Sequence, residues 1–156
     1  MKILLIEDSR FLRAAIERLL VQAGHEVAGM ADGREALLAA RRSAPAVIFL
    51  DMMLPGLEGT CVLKELKQDP STSHIPVIVL TGLSQENEPR LRKSGAAGYI
   101  QKSSLHLENA DALLKAIASA VGATAEVQAG PAQQRCSNAD AGESKTEERG
   151  VSGGAA

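Results

Sequence analysis

Charged and hydroxyl side chains stand directly or closely after several short apolar runs in this sequence, and their types suit the chemistry of phosphate. These residues are Glu7, Asp8, Asp51, Thr81 and Lys102. Three carboxylates that come together repel one another unless a cation intervenes, and carboxylate oxygens suit Mg²⁺. A carboxylate can also accept a phosphoryl group covalently, and a lysine ammonium can neutralise phosphoryl oxygens. The sequence therefore indicates a site for magnesium and phosphate, provided that the fold brings these residues together.

Short apolar runs predict the strands that would do so. The runs Ile3–Ile6, Val47–Leu50 and Val77–Leu80 are rich in β-branched residues and lack alternation, which is typical of strands buried on both faces. Two weaker runs, Glu26–Met30 and Gly98–Ile100, predict strands nearer a sheet edge.

Helical patterns alternate with these strands. Ser9 and Asp32 are expected to cap the first two helices. The other three helices are predicted over Leu57–Gln68, Ser84–Ser94 and Leu107–Val121, with Gly95 and Gly122 as the stops of the last two. Five such alternations with short connections require parallel strands, right-handed crossovers and helices on both faces. In sheets of this kind ligands gather at the carboxyl ends of the strands, where the candidate residues stand.

The composition predicts one folded domain and a tail. The chain has 156 residues and a net charge of -2, with no Trp, one Tyr and two Phe, so its core must be aliphatic. The first 122 residues carry equal numbers of basic and acidic side chains. Residues 123–156 have few bulky apolar side chains and cannot bury enough surface to offset the entropy of ordering them. We expect a domain over 1–122 and a disordered, acidic, Gly- and Ala-rich tail over 123–156, with no output domain.

The same composition argues against several classes of protein. The small negative net charge disfavours a basic nucleic-acid-binding surface. Cys61 and Cys136 form no CxxC pattern, so neither a zinc site nor a disulfide framework is indicated. The apolar runs are too short for a signal peptide or a membrane span. We expect a cytoplasmic protein that binds neither nucleic acid nor membrane directly.

In their order and spacing, the motifs resemble those of response-regulator receiver domains, the phosphoacceptor modules of two-component signalling. The matching segments are Ile-Leu-Leu-Ile-Glu7-Asp8, Val-Ile-Phe-Leu-Asp51-Met-Met-Leu-Pro-Gly, Val-Ile-Val-Leu-Thr81-Gly and Gly-Tyr99-Ile-Gln-Lys102. The resemblance covers residues 1–122. It implies an α/β, three-layer flavodoxin-like (βα)5 fold with a five-stranded parallel sheet in the order 2-1-3-4-5.

The resemblance also implies a role for each matching residue. Asp51 would accept the phosphoryl group, Lys102 would pair with one phosphoryl oxygen, and Thr81 would donate a hydrogen bond to another. On activation Thr81 would move inward and Tyr99 would change rotamer, which would alter the surface made by the fourth helix, fifth strand and fifth helix. The implied magnesium ligands are Glu7, Asp8, Asp51 and the backbone carbonyl of Met53.

Two positions depart from the family's usual pattern. The acidic pair is most often Asp-Asp, whereas this chain has Glu7-Asp8, so we expect Glu7 to bind the metal less directly, through water. Many members place Pro, often after a cis peptide bond, where this chain has Ser103. A cis bond between Lys102 and Ser103 would cost about 3 kcal/mol, against roughly 0.5–1 kcal/mol before proline. The sequence leaves open a strained cis bond or a trans loop.

The function implied by the resemblance is that of a single-domain response regulator. It would take its phosphoryl group from a histidine kinase or phosphotransfer protein and signal by protein contact, as a monomer or a phosphorylation-dependent dimer. It would not be an enzyme, apart from slow self-dephosphorylation. One alternative is a receiver-like adaptor that acts without phosphorylation. Another is an aspartate-dependent phosphohydrolase, which is disfavoured because that class places a second acidic residue where this chain has Met53.

Met53 and Leu83 motivate a hypothesis about the lifetime of the phosphorylated state. They stand two positions after Asp51 and Thr81, where family analogy places them beside the phosphoryl group. Neither side chain can orient a water in line with an acyl phosphate, so we expect slow self-dephosphorylation.

Overall fold

A computed structural model describes residues 1–82 and 88–123, in which strands and helices alternate. The strands are β1 (Lys2–Ile6), β2 (Glu26–Met30), β3 (Val47–Asp51), β4 (Val77–Thr81) and β5 (Gly98–Gln101). The helices are α1 (Arg10–Gln22), α2 (Gly33–Ser43), α3 (Gly59–Gln68), α4 (Glu88–Lys93) and α5 (Asp111–Ala123). A short 3₁₀ turn, Lys102–Ser104, directly follows β5.

The five strands form one parallel sheet in the order β2-β1-β3-β4-β5, which confirms the predicted fold class. Along the sheet Asp51 of β3 lies beside Leu80 of β4, and Thr81 lies beside Gln101 of β5. The carboxyl ends of these strands are therefore level with one another. This register brings the predicted site residues to one edge of the sheet.

Two apolar clusters fill the space on either side of the sheet. Along β3, Ile48 and Leu50 belong to the cluster shared with α2 and α3, whereas Val47 and Phe49 belong to the cluster shared with α1 and α5. Every residue of β3 and β4 is buried. The unbroken apolar runs thus correspond to strands that are covered on both faces, as the sequence predicted.

Side-chain caps begin the first two helices as predicted. The hydroxyl of Ser9 accepts a hydrogen bond from the backbone N–H of Leu12 at 3.3 Å. A carboxylate oxygen of Asp32 accepts from the N–H groups of Arg34 and Glu35, at 2.7 and 3.1 Å. These bonds satisfy donors that lack a partner within the helix and fix where α1 and α2 start.

The predicted bounds of two helices were wrong. α3 begins at Gly59 rather than Leu57, because a Pro-Gly turn precedes it and the N–H of Leu57 donates to the carbonyl of Pro55. α5 begins at Asp111 rather than Leu107, since the chain leaves β5 through the 3₁₀ turn before it becomes helical.

The two predicted glycine stops had different outcomes. Gly122 lies within α5, which continues to Ala123, so the prediction that it ends this helix was wrong. Its backbone is not in the left-handed region that a glycine stop adopts. Gly95, by contrast, has φ of +96° shortly after α4, and this stop is confirmed.

Part of the predicted organisation lies outside the described residues. This is so for Leu83, for residues 84–87 of the predicted fourth helix, and for residues 124–156 of the predicted tail. Within the described ranges every peptide bond is trans, including the bond from Lys102 to Ser103. Those ranges contain no helix with the length and hydrophobicity needed to traverse a bilayer.

Candidate functional site

Lys102 bridges two buried carboxylates at the carboxyl edge of the sheet. Its ammonium lies 2.9 Å from Oε2 of Glu7 and 2.8 Å from Oδ2 of Asp51. The side chains of Glu7 and Asp51 are 0% and 1% exposed, whereas that of Lys102 is 25% exposed. Among the described residues these two oxygens have no other partner than the ammonium. The charge balance of the site therefore depends on one side chain that reaches back from the end of β5.

Glu7 is held at each of its hydrogen-bonding groups. Its N–H donates to the carbonyl of Met30 at 2.9 Å, and its carbonyl accepts from Nη1 of Arg13 at 2.7 Å. Its Oε1 accepts from the N–H of Ser9 at 3.1 Å, while Oε2 contacts Lys102. The end of β1 is thus tied to β2, to α1 and to β5 at the same residue.

Asp51 also has a partner at each side-chain oxygen. Its Oδ1 accepts a hydrogen bond from the backbone N–H of Met53 at 3.0 Å, while Oδ2 contacts Lys102. The side chain of Met53 points outward and is 72% exposed. The loop after β3 therefore orients the carboxylate of Asp51 with its backbone and presents an apolar side chain to solvent.

Three carboxylates form a cluster whose ligand type fits Mg²⁺. Glu7, Asp8 and Asp51 each offer one oxygen, and these oxygens lie within 4.8 Å of one another. Asp8 is exposed, so the cluster opens to solvent on one side. Lys102 supplies one positive charge against three carboxylates, and hard oxygen ligands with an unbalanced negative charge suit a small divalent cation. The backbone carbonyl of Met53 remains a prediction as a further ligand.

The burial and the charges of the site perturb two pKa values. Burial raises the pKa of Glu7, and the nearby charge of Asp51 acts in the same direction, against the hydrogen bond from Lys102. Burial alone would lower the pKa of Lys102, but its hydrogen bonds to Asp51 and Glu7 outweigh burial and raise it. At neutral pH Lys102 is therefore a cation, and Glu7 holds a proton more readily than an exposed glutamate.

Thr81 and Tyr99 lie on neighbouring strands, on the same face of the sheet. Thr81 is 3% exposed and ends β4. Tyr99 is half-buried, lies beside Val79 in the register, and packs against the apolar cluster on the side of α2 and α3. Because alternate residues of a strand share a face, Thr81 faces the same side as Val79. The two predicted switch residues therefore face the same side of the sheet on neighbouring strands.

The structure thus brings Glu7, Asp51 and Lys102 into contact, with Asp8 in the same cluster and Thr81 at the adjacent strand end. Two residues that support the site were missed by the sequence analysis. One is Gly59, where a β-carbon would overlap the carbonyl oxygen of Asp51. The sequence carried a usable signal for it, because a glycine in the first turn of a helix costs stability unless close packing requires it. Arg13 had none, since its contact is with a backbone carbonyl.

Comparison with known proteins identifies the family of this chain. Residues 3–118 match the family described as Response regulator receiver domain. The chain therefore belongs to the response-regulator receiver family.

Relatives include proteins of similar and of much greater length. DivK, a polar-differentiation response regulator of Brucella anthropi, is 35% identical over 101 residues, which are 64% of this chain and 82% of that protein. PilH of Pseudomonas aeruginosa is 32% identical over 102 residues, which are 65% of this chain and 84% of that protein. The response regulator PleD of Caulobacter vibrioides is 37% identical over 103 residues, so 65% of this chain matches only 22% of that protein.

Solved structures share the fold over nearly their whole length. CheY4, a chemotaxis response regulator of Vibrio cholerae, has a TM-score of 0.68 at 30% identity, covering 74% of this chain and 97% of that one. The receiver domain of the sensor histidine kinase PA1611 of Pseudomonas aeruginosa was solved with magnesium coordinated in its active-site cleft. It has a TM-score of 0.68 at 27% identity, covering 78% of this chain and 98% of that one. A phosphoacceptor signalling role fits a domain with these relatives.

Proposed function

We propose that this domain accepts a phosphoryl group on Asp51 from a phosphohistidine and passes the signal on by protein contact. The observation that carries the proposal is the 2.8 Å contact between Lys102 and Asp51 beside a solvent-facing carboxylate cluster. An ion pair that served only stability would not need Asp8 and Glu7 close to Asp51. Their negative charges repel that of Asp51, which reduces the stabilisation that the pair contributes. The arrangement instead suits a site that receives a cation and an anionic group together.

The residues support an in-line transfer to Asp51. A carboxylate oxygen of Asp51 attacks the phosphorus of the phosphohistidine, so a P–O bond forms as the P–N bond breaks, and the released imidazole takes a proton from solvent. The ammonium of Lys102 neutralises one phosphoryl oxygen, and the hydroxyl of Thr81 donates a hydrogen bond to another. The phosphohistidine belongs to a histidine kinase or a phosphotransfer protein.

Mg²⁺ fits the same cluster. Asp8 and Asp51 would hold it, with the backbone carbonyl of Met53 and, through water, Glu7. Bound magnesium supplies positive charge against the phosphoryl oxygens in the transfer. The magnesium reported in the cleft of the PA1611 receiver domain supports this assignment.

The signal leaves the site through Thr81 and Tyr99. A phosphoryl group on Asp51 draws the hydroxyl of Thr81 toward it, and Tyr99 moves into the space that becomes available on the same face. The surface formed by α4, β5 and α5 then changes its affinity for a downstream protein. One covalent charge thereby biases a two-state element.

Intact-mass measurement after incubation with Mg²⁺ and a small phosphodonor tests the proposal. We expect one phosphate adduct on the wild-type protein and none on Asp51→Asn. The matched control is Asp111→Asn, an exposed aspartate at the start of α5, which should form the adduct like wild type. A wild-type protein without an adduct would point to an adaptor that acts without phosphorylation. Steady turnover of organic phosphates would point to a phosphohydrolase.

A further inference from the structure

We propose that Arg13 is a positioning residue for the magnesium site, which it holds through the backbone carbonyl of Glu7. The inference depends on the proposed function only in that it assigns magnesium to the carboxylate cluster. Arg13 touches none of the three carboxylates in the contacts described above, so it acts by fixing the chain that carries them.

The position of this hydrogen bond in the chain determines its effect. Nη1 of Arg13 lies 2.7 Å from the carbonyl oxygen of Glu7, which belongs to the peptide group that joins Glu7 to Asp8. Rotation of that peptide group would move both carboxylates relative to Asp51. A guanidinium bound to its carbonyl opposes the rotation, in the manner of outer-shell partners that orient metal ligands.

Gly29 in β2 provides the path for this side chain. A β-carbon at Gly29 would overlap the carboxylate of Glu17 and would come within 3.0 Å of Cδ of Arg13. The side chains of Arg13 and Glu17, both in α1, therefore cross the edge strand β2 at Gly29, which has no side chain. Neither Gly29 nor Arg13 belongs to the phosphoacceptor site, yet together they define how the end of β1 is held.

The charge of Arg13 and its hydrogen bond have opposite effects on magnesium affinity. Removal of a positive charge near three carboxylates strengthens the binding of a divalent cation by Coulomb's law. Loss of the hydrogen bond loosens the peptide between Glu7 and Asp8 and weakens binding. The sign of the change in affinity therefore distinguishes a positioning role from a merely electrostatic one.

Titration calorimetry of the unphosphorylated protein with MgCl₂ tests the proposal. We expect Arg13→Met to bind Mg²⁺ about tenfold more weakly, in line with the loss of an outer-shell partner. Arg13→Lys should recover part of the affinity, because an ammonium can donate one hydrogen bond to the carbonyl. Arg18→Met is the matched control: it removes a charge from an exposed position of the same helix and should not weaken binding.

Two further measurements do not depend on phosphorylation. The amide of Ser9, which donates to Oε1 of Glu7, should exchange with solvent severalfold faster in metal-free Arg13→Met than in Arg18→Met. Gly29→Ala displaces the crossing side chains without removal of any charge, and it should bind Mg²⁺ severalfold more weakly while folding is retained. It replaces Arg13→Met if that variant does not fold.

Unchanged or tighter Mg²⁺ binding by Arg13→Met would overturn the positioning role, as would a wild-type protein that binds no Mg²⁺. Failure of Asp51 to take phosphate would refute the proposed function and leave the calorimetric result standing. The two proposals can therefore fail separately.

Discussion

Gly59, at the start of α3, lies directly against the backbone of Asp51. A β-carbon at residue 59 would overlap the carbonyl oxygen of Asp51 and Cα of Met52. The N–H of Gly59 also donates to the carbonyl of Met52 at 3.2 Å. The loop that carries the candidate phosphoacceptor is thus closed onto α3 by a contact that only glycine permits.

Substitution of Gly59 should therefore displace the backbone of Asp51 and Met52. We expect Gly59→Ala to lower the free energy of unfolding by about 1–3 kcal/mol, the usual cost of an extra methyl in a packed position. Urea denaturation measures this change. Gly122→Ala is the control, because a β-carbon there would meet no atom of the described residues within 4 Å beyond its own helix, and alanine favours a helix. The stability of Gly122→Ala should be unchanged or slightly higher than that of wild type. If Gly59→Ala were as stable as wild type, the close contact at Gly59 would be contradicted.

Loss of Lys102 should leave two buried oxygens without a partner. We expect Lys102→Met to be less stable than wild type by about 3–5 kcal/mol, because a buried charge is left without compensation. Saturating Mg²⁺ should stabilise this variant more than wild type, since the cation takes over the missing charge. Urea denaturation with and without MgCl₂ checks both effects. Lys115→Met, exposed on α5, should show neither, and a Lys102→Met protein as stable as wild type without metal would refute the charge-balance argument.

The raised pKa of Glu7 predicts a pH-dependent difference between wild type and Glu7→Gln. Because its pKa in the folded state lies above 4.5, the stabilisation linked to its protonation is full below pH 4.5 and is lost as pH rises through the raised value. Glutamine does not titrate, so in metal-free protein the stability of Glu7→Gln relative to wild type should increase from pH 4.5 toward neutrality. Denaturant midpoints across this range measure the trend, and saturating Mg²⁺ should diminish it. A constant difference between the two proteins would contradict the prediction.

The exposed side chain of Met53 predicts a long-lived phosphorylated state. It is apolar and 72% exposed beside the candidate phosphoacceptor, where an amide could orient water. We expect Met53→Asn to lose phosphate about tenfold faster, because a positioned water reacts more readily. Decay of the intact-mass adduct gives the rate, and Leu38→Asn, an exposed apolar residue of α2, serves as control. If neither Met53→Asn nor Leu83→Glu accelerates decay, the hypothesis is wrong.

The sequence predicted the sheet well because its three central strands, β1, β3 and β4, are buried on both faces. Two observed strands are one residue longer than the apolar runs that predicted them. The run Ile3–Ile6 corresponds to β1 (Lys2–Ile6), and the run Val77–Leu80 corresponds to β4 (Val77–Thr81). The start of α5 was harder to predict. Apolar residues continue with helical spacing through Leu107, although the chain there is still turning away from β5.

The location of the site was predictable, whereas its internal contacts were not. Strand order places Glu7, Asp51 and Lys102 at one edge of the sheet. Which carboxylate oxygen meets the ammonium depends on side-chain geometry in three dimensions. The contact of Arg13 with the backbone carbonyl of Glu7 could not be predicted from the sequence, because every residue type has such a carbonyl.

The salt bridges of Lys102 also order events during synthesis of the chain. Glu7 and Asp51 leave the ribosome before Lys102, so a nascent chain that ends before β5 carries the carboxylates without the ammonium that pairs with both of them. Burial of those carboxylates without a counter-charge opposes closure of the sheet around them. Without a bound cation, final consolidation of this edge therefore waits for the last strand, and a chain that stops short of it lacks a balanced site.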